Sequence, residues 1–507
     1  MIARVDLALL VFCTLALAAI ISTKFATRFG LPALVLFVGL GVFAGSDGPI
    51  GIQFDDYTLA YNIGIVALAT ILFSGGLETK MRLFRTALVP ASMLATLGTA
   101  VTMIVIGLFA WWLTPLDLVT SMLLGAVISS TDAAAVFTSL KGRGLPAKLR
   151  GVVETESGAN DPVAILLTVA LAVAATSGTF DLGGILIGIV VQLAVGAVCG
   201  VLMGRAIVWL VNVVKLDSFG LYPILGLVGG LLTFALTNIV GGNGFLAAYF
   251  AGLVMANSRL AHRYNITSFA EAAAWGSQIL MFLVLGLLVD PSELLVTVPV
   301  ALLITAVVIF LARPIAVVGT LGLLRVVSLE RYTFTPAEQA LLSWAGLKGA
   351  VPIILAIVPL SLGVPGATYI FNVIFVVVIV GTILQGFTIG PLAQRLGLAV
   401  TEPPKSPLRL ELGGDAPIGS SVLDVYLGAD SGAVGVSIVD LGLPEDIVIA
   451  AVLRKGELVT PRGSTVFEPG DHVYLISPHG TNMGTPTVFL PRKAAVESEQ
   501  VEAVEGA

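Results

Sequence analysis

The chain has 507 residues, of which 57% are hydrophobic and only 11% are charged, with a formal net charge of −6. A soluble protein carries roughly 25% charged residues, so this composition excludes a cytosolic enzyme, a disordered protein and a nucleic-acid-binding protein. Two cysteines in apolar runs, Cys13 and Cys199, provide neither a disulfide framework nor a cysteine metal site. The composition predicts an all-α polytopic membrane protein that lies mostly in the lipid bilayer.

About 20 apolar residues in a helix span the hydrocarbon of a bilayer, and the chain contains thirteen such runs. In chain order they lie near residues 4–22, 30–45, 58–77, 87–113, 117–139, 151–177, 181–214, 218–239, 243–257, 268–289, 294–325, 337–361 and 366–397. The second and ninth runs are short, whereas the seventh and eleventh are long enough to be tilted. A cleaved signal peptide is the alternative interpretation of the first run, although Asp6 weakens its basic start.

Lysine and arginine accumulate on cytoplasmic connections, and here they fall in every second connection between runs. They are Lys24, Arg28, Lys80, Arg82, Arg85, Lys141, Arg143, Lys148, Arg150, Arg205, Lys215, Arg259, Arg263, Arg325, Arg331 and Arg395. The opposite connections carry acids such as Asp47, Asp117 and Asp290, and no lysine or arginine. We therefore expect the N-terminus outside and the C-terminus in the cytoplasm.

Thirteen helices divide into six, one and six, so the two sets of six run with opposite topology. Inverted repeats of this kind are common in secondary transporters, whose ion sites lie near the midplane at broken helices. After about residue 400, short strand-like runs alternate with turns and predict a small cytoplasmic α+β domain. We expect a membrane domain at 1–400, the α+β domain at 401–485 and a disordered tail at 486–507.

Polar groups inside membrane helices are costly and by default indicate function. The first such place is 129–136, where three hydroxyl side chains, including that of Thr131, precede Asp132 and a run of small residues. This pattern suits an unwound helix whose freed carbonyls bind a cation. The alternative is a regular helix whose hydroxyls bond back to its own carbonyls near the cytoplasmic end.

The second place opens the sixth run and contains Glu156, Ser157, Asn160 and Asp161. Asp161 lies about ten residues beyond a basic connection, which is roughly 15 Å of helix rise and near the bilayer midplane. Ser157 and Asp161 are four residues apart and share one helix face. Pro162 removes a backbone donor, so a carbonyl one turn earlier is free for coordination. The alternative is a carboxylate paired structurally with a neighbouring base.

The third place is the twelfth run, where Lys348 lies between glycines in the membrane interior. A buried cation needs a partner, so we predict a structural ion pair between Glu156 and Lys348 that positions Asn160 and Asp161. Snorkelling of the lysine to the cytoplasmic surface is the alternative. Arg313 is a further base inside an apolar run, at a depth that the run does not define.

A carboxylate among amide, hydroxyl and carbonyl oxygens is a site for a hard monovalent cation such as Na⁺ or K⁺. If a proton and the cation compete for Asp161, alternating access gives obligatory exchange, and since Asn160 cannot titrate we predict 1:1 electroneutral exchange. Glu78, with Lys80 nearby, is predicted to line a cation entrance, and a surface pair is the alternative. The chain has no G-x-x-x-x-G-K-[ST] or H-E-x-x-H motif, which argues against ATP-driven pumping and zinc proteolysis.

The strings at 131–132, 156–162 and 346–352 resemble the signature of bacterial monovalent cation:proton antiporters, more narrowly the NhaP-type potassium/proton antiporters. The resemblance implies a homodimer in the bacterial inner membrane. In each protomer a core domain with crossed, broken helices moves against a scaffold domain. It also implies that Asp161 binds the cation and the proton beside Asn160.

By the same resemblance, Ser157 and the backbone at Thr131 are further cation ligands, with Asp132 close to the crossing. The family's partner for the acid at Glu156 is usually arginine, whereas Lys348 holds that place here. Lysine cannot form the two-pronged bond of arginine and can release its proton when buried. Exchange with a titrating lysine would not be electroneutral.

The segment 434–477 is similar to the C-terminal, ligand-sensing half of potassium-conductance regulatory domains, the TrkA-C (RCK-C) domain, and this resemblance implies a nucleotide effector at this domain. No Gly-rich Rossmann half precedes it, so a nucleotide would have to bind this domain unaided. We expect no resident cofactor, since the monovalent cation is the substrate.

The leading hypothesis is therefore potassium/proton antiport, with a role in pH homeostasis. Sodium/proton antiport is the alternative in the same class, because these ligand types do not distinguish Na⁺ from K⁺. A TrkA-C-regulated potassium channel is an alternative in a different class. A channel would need a filter of aligned carbonyls such as T-V-G-Y-G, and no such string occurs.

Overall fold

The computed structural model describes residues 2–29, 32–140, 143–178, 182–327, 332–401, 421–443, 447–477 and 489. The chain divides into two compact units, one of Met1–Ser258 and Asn265–Thr401 and the other of Arg259–Tyr264 and Glu402–Ala507. Apart from Phe489, the predicted tail at 486–507 lies outside the described residues.

Helices make up nearly all of the membrane part. They are α1 (Ile2–Phe29), α2 (Ala33–Ala44), α3 (Tyr57–Glu78), α4 (Met81–Met93), α5 (Thr99–Leu113), α6 (Leu118–Ile128), α7 (Ala133–Ser139), α8 (Ala147–Ser177), α9 (Leu182–Val213), α10 (Leu221–Ile239), α11 (Gly244–Ala256), α12 (Arg263–Leu287), α13 (Pro291–Val307), α14 (Arg313–Val327), α15 (Pro336–Trp344), α16 (Ala350–Ser361) and α17 (Ala367–Arg395).

Within the described residues, nine helical runs are long and apolar enough to cross a membrane, and the bent pair α6 and α7 makes a tenth. The apolar helices α2, α11 and α16 have only 12, 13 and 12 residues. The short second and ninth runs of the sequence correspond to α2 and α11. The prediction of an all-α polytopic membrane protein is confirmed, whereas the count of thirteen spans is not.

Two pairs of short helices stand where continuous spans would be expected. The first pair bends by 48° between α6 and α7, at residues 129–132. Asp132 ends the break because its side chain accepts hydrogen bonds from two backbone N–H groups in the first turn of α7. The second break is at 345–349, between α15 and α16. The two breaks cross, since the backbone N–H of Asp132 donates to the carbonyl of Leu347 at 2.8 Å.

A π-helical turn interrupts the long helical run before each broken pair. Leu94–Gly98 joins α4 to α5, and Val308–Ala312 joins α13 to α14. Such turns are rare in proteins, and those that do occur often lie at functional sites. The two turns occupy equivalent positions, which agrees with a repeat of two halves. The second turn immediately precedes Arg313, the first residue of α14.

Two contacts join connections that the charge pattern predicts to lie on the same side of the membrane. On the predicted cytoplasmic side, a strand β1 at Arg143–Gly144 pairs antiparallel with a strand β2 at Val400–Thr401. On the predicted outer side, the backbone N–H of Ser292 donates to Asp47 at 3.0 Å. Hydrogen bonds from the side chain and backbone of Ser292 lower the pKa of Asp47.

The smaller unit contains a four-stranded antiparallel sheet in the order β3–β6–β4–β5. Its strands are β3 (Ser421–Tyr426), β4 (Val448–Arg454), β5 (Glu457–Val459) and β6 (His472–Ser477). Arg454 binds both carboxylate oxygens of the buried Asp471 at 2.9 Å. Within the described stretches 421–443 and 447–477, the one helical element is a 3₁₀ turn at Val439–Leu441, so these stretches contain no α-helix of the predicted α+β domain.

Candidate functional site

The central polar residues of α8 are buried among apolar side chains. Asn160 and Asp161 are 1% and 4% exposed, and Pro162 follows inside the helix. Proline has no N–H, so it leaves a carbonyl one turn earlier without its usual helical donor. The sequence therefore places a carboxylate, an amide and a free carbonyl on one stretch of buried helix.

Two hydrogen bonds join this stretch of α8 to the break between α6 and α7. The Ser157 hydroxyl donates to the Thr131 carbonyl at 2.9 Å, and the Asn160 side-chain amide donates to the Thr131 hydroxyl at 2.6 Å. The backbone N–H of Ala133 in turn donates to the Ser157 hydroxyl at 3.1 Å. The structure thus brings Thr131, Ser157 and Asn160 together, and Asp161 is the next residue along α8.

Several oxygens around this junction have no hydrogen-bond donor among the described residues. They include Oδ1 of Asn160, Oδ1 of Asp161 and the hydroxyl of Ser130, all fully buried. Buried polar atoms are nearly always bonded, so a group of unbonded oxygens calls for a ligand that they would bind. Carboxylate, amide and backbone oxygens at a broken membrane helix are the donor set of alkali-cation sites in transporters.

Glu156 forms a buried two-pronged ion pair with Arg313. Nη1 of Arg313 lies 2.6 Å from Oε1 of Glu156, and Nη2 lies 2.9 Å from Oε2, with both residues less than 5% exposed. The predicted pair between Glu156 and Lys348 is therefore wrong. The planar guanidinium matches both oxygens of a carboxylate, which an ammonium cannot do. Gly346 leaves room for it, since a Cβ there would lie 2.7 Å from Nε of Arg313.

Lys348 instead reaches across to the first break. It is 1% exposed, so it does not snorkel to the surface, and its ammonium donates to the carbonyls of Ser130 at 2.9 Å and Ser129 at 3.4 Å. These carbonyls lie just beyond the C-terminal end of α6, where the helix dipole is negative and favours a cation. Gly349 permits the crossing, because a Cβ at this position would overlap the carboxylate of Asp132.

Glu78 is exposed at the last position of α3. The next residue, Thr79, is buried, and its hydroxyl lies 3.4 Å from that of Tyr249 on α11. The role of Glu78 at a cation entrance stays a prediction.

Family models match most of the chain. Residues 14–395 match the sodium/hydrogen exchanger transmembrane family, and residues 422–481 match the TrkA-C domain. The chain belongs to the sodium/hydrogen exchanger family. It is therefore a membrane transporter and not an enzyme, and cation:proton antiport is the class of activity of this family.

Curated relatives agree with the predicted resemblance to the NhaP type. The chain is 41% identical over 469 residues to the K⁺/H⁺ antiporter NhaP2 of Shewanella sp. strain ANA-3, covering 91% of this chain and 79% of the relative. It is 40% identical over 477 residues to the K⁺/H⁺ antiporter NhaP of Alkalimonas amylolytica, covering 93% and 81%. The resemblance to NhaP-type antiporters is confirmed.

A solved structure shares the fold of the membrane part. The sodium proton antiporter MjNhaP1 of Methanocaldococcus jannaschii aligns with a TM-score of 0.65 and 21% identity, covering 77% of this chain and 99% of that protein. At this identity the likeness shows the fold alone.

Proposed function

We propose that this protein exchanges K⁺ for H⁺ at Asp161 by alternating access. The observation that carries the proposal is the group of buried oxygens without donors, on Ser130, Asn160 and Asp161, beside the break that holds Thr131. A proton or a cation would satisfy the carboxylate, and a protonated carboxyl group has lost the negative charge that attracts the cation. Competition for one site, open to each side of the membrane in turn, makes exchange obligatory.

The choice of K⁺ over Na⁺ rests on the relatives named above. Two proteins that are 40% to 41% identical over most of this chain are K⁺/H⁺ antiporters. The oxygen ligands themselves, with Ser157 and Thr131 among them, fit either ion.

The proposed stoichiometry is one K⁺ for one H⁺. Asp161 supplies one titrating carboxylate, the neighbouring Asn160 carries no charge, and Glu156 is bound to Arg313. Lys348 keeps exchange electroneutral if it stays protonated on the carbonyls of the first break. We further propose a homodimer in the bacterial inner membrane, with the C-terminus in the cytoplasm and a role in pH homeostasis. The TrkA-C domain is the proposed site of a nucleotide effector.

Proteoliposomes that contain the full-length protein test this proposal. An imposed K⁺ gradient should drive proton movement in wild type, and Asp161→Asn should reduce it to the level of protein-free vesicles. Asp55→Asn, which removes an exposed carboxylate in the connection before α3, should leave the rate unchanged. Full exchange by Asp161→Asn would show that the site is elsewhere.

A voltage clamp applied with K⁺ and valinomycin separates the alternatives of stoichiometry and class. Electroneutral exchange should be insensitive to membrane potential, in wild type and in Lys348→Arg alike. If Lys348 titrates, wild type should respond to voltage and Lys348→Arg, whose side chain cannot lose its proton, should respond less. Potassium current without coupled proton movement, measured in the absence of valinomycin, would instead indicate a channel.

A further inference from the structure

Broken helices leave carbonyls that regular helices would satisfy. Inside a membrane each of these must find a donor, because no water replaces it. The second break, at 345–349, and the end of α15 before it together present the carbonyls of Trp344, Leu347 and Lys348 to the protein interior.

Each of these three carbonyls accepts a hydrogen bond from another element. The carbonyl of Leu347 accepts the backbone N–H of Asp132 at the crossing. The other two accept bonds from α17. Thr382 donates its hydroxyl to the Lys348 carbonyl at 2.7 Å, and Gln385 donates its side-chain amide to the Trp344 carbonyl at 3.0 Å.

The side chains of Thr382 and Gln385 on α17 support the second break through these hydrogen bonds. Thr382 and Gln385 are each 2% exposed, and they are three residues apart, so they share one face of the helix. A hydroxyl and an amide are costly to bury unless they are bonded. Their burial in a mostly apolar helix therefore points to the carbonyls that they bind.

The carbonyls of Ser129, Ser130 and Thr131 at the first break also accept hydrogen bonds, from Lys348 and Ser157, but some side-chain oxygens beside this break do not. Beside it, Ser130, Asn160 and Asp161 each keep an oxygen without a donor among the described residues. The carbonyls named at both breaks are thus bonded, and the oxygens that stay open to a ligand are side-chain oxygens next to the first break.

We propose that Thr382 and Gln385 are positioning residues that hold the second break and thereby confine cation binding to the first. Thr382 fixes the backbone carbonyl of Lys348, and the ammonium of the same residue fixes the carbonyls of Ser129 and Ser130. Loss of the Thr382 hydroxyl would free the Lys348 peptide and loosen the grip of its ammonium on the first break. This inference rests on the proposed cation site at Asp161.

The test compares Thr382→Val with Thr382→Ser in full-length protein in proteoliposomes, with K⁺ as the probe. Valine keeps the shape but removes the donor, and serine restores the donor. Thr382→Val should raise the apparent KM for K⁺ about tenfold, as expected for one lost buried hydrogen bond. Its maximal rate should stay within about twofold of wild type, and Thr382→Ser should behave like wild type.

Thr233→Val is the matched control. Thr233 is 0% exposed, and among the described residues its hydroxyl bonds to its own helix alone, at the Gly229 carbonyl at 2.8 Å. This variant should leave KM unchanged. Gln385→Met provides a second variant, which should raise KM in the same direction even if Thr382→Val is poorly folded.

A merely structural role would lower the amount of folded protein and the maximal rate at constant KM, and that result would overturn the inference. Failure of Thr382→Ser to restore KM would also overturn it. Asp161→Asn separates this inference from the proposed function. If Asp161→Asn abolishes exchange while Thr382→Val leaves KM unchanged, only the role of Thr382 is wrong.

Discussion

Arg313 and Lys348 are two buried cations held in different ways. The guanidinium of Arg313 meets a full negative charge on Glu156, with two bonds in a fixed plane. The ammonium of Lys348 meets the partial negative charges of two carbonyls. The two losses should therefore differ: without Arg313 the carboxylate of Glu156 loses its hydrogen-bonded partner, and without Lys348 the carbonyls at the end of a helix lose theirs.

A double-mutant cycle measures this difference. Arg313→Met should lower the free energy of unfolding by about 3–5 kcal/mol, because it strands the buried charge of Glu156. Adding Glu156→Gln should recover much of that loss, which denaturant titration in detergent would detect. The same cycle between Glu156→Gln and Lys348→Met should give a smaller coupling, because Glu156 forms its ion pair with Arg313 and Lys348 bonds to carbonyls. Coupling to Lys348 and not to Arg313 would contradict the observed pairing.

Site residues that are close together in the sequence are predictable from it, whereas contacts between residues far apart in the sequence are not. Ser157, Asn160 and Asp161 lie within five residues of one helix, so helix geometry alone brings them together. The partner of Glu156 is 157 residues away along the chain. Its position depends on the π-helical turn before Arg313, which no residue pattern marks. The one available signal is chemical: arginine suits a buried carboxylate better than lysine does.

Among the helices, the crossing of the two breaks depends on close approach at a glycine. Gly349→Ala should destabilise the protein by about 1–3 kcal/mol, since an added Cβ would displace the carboxylate of Asp132 from the N-terminus of α7. Its exchange rate should fall as well, because the first break would move.

Gly322→Ala is the control for this change. A Cβ at Gly322, within α14, meets no atom within 4 Å, and alanine in a helix interior is favoured over glycine by about 0.5–1 kcal/mol. This variant should be as stable as wild type or slightly more stable, with unchanged exchange. Equal effects of the two substitutions on thermal unfolding would show that the crossing tolerates a side chain.

The breaks are easier to predict than the number of spans. Hydroxyls with Asp132 at 129–132, and glycines around Lys348, interrupt otherwise apolar runs and indicate where helices end. Span counting depends on length, and three apolar helices of the described chain have only 12 or 13 residues. Whether such helices cross the membrane is decided by their neighbours, which a hydropathy pattern does not contain.

For the molecule as a whole, composition and charge are the most informative parts of the sequence. The low content of charged residues predicts the membrane fold. The alternation of lysine and arginine between connections predicts which connections lie on the same side of the membrane, and the pairing of Arg143–Gly144 with Val400–Thr401 agrees with it. The TrkA-C domain is recognisable from its strands and turns. Its ligand is not, because polar side chains of the described strands bond to one another, as Arg454 does to Asp471.

The pH dependence of the apparent KM for K⁺, measured in proteoliposomes at several K⁺ concentrations, tests the shared site most directly. If a proton and K⁺ compete for Asp161, acidification should raise KM by up to about tenfold per pH unit, because the protonated carboxylate does not bind the cation. The maximal rate should stay constant. A maximal rate that falls at unchanged KM would mean that the proton and K⁺ bind at separate sites.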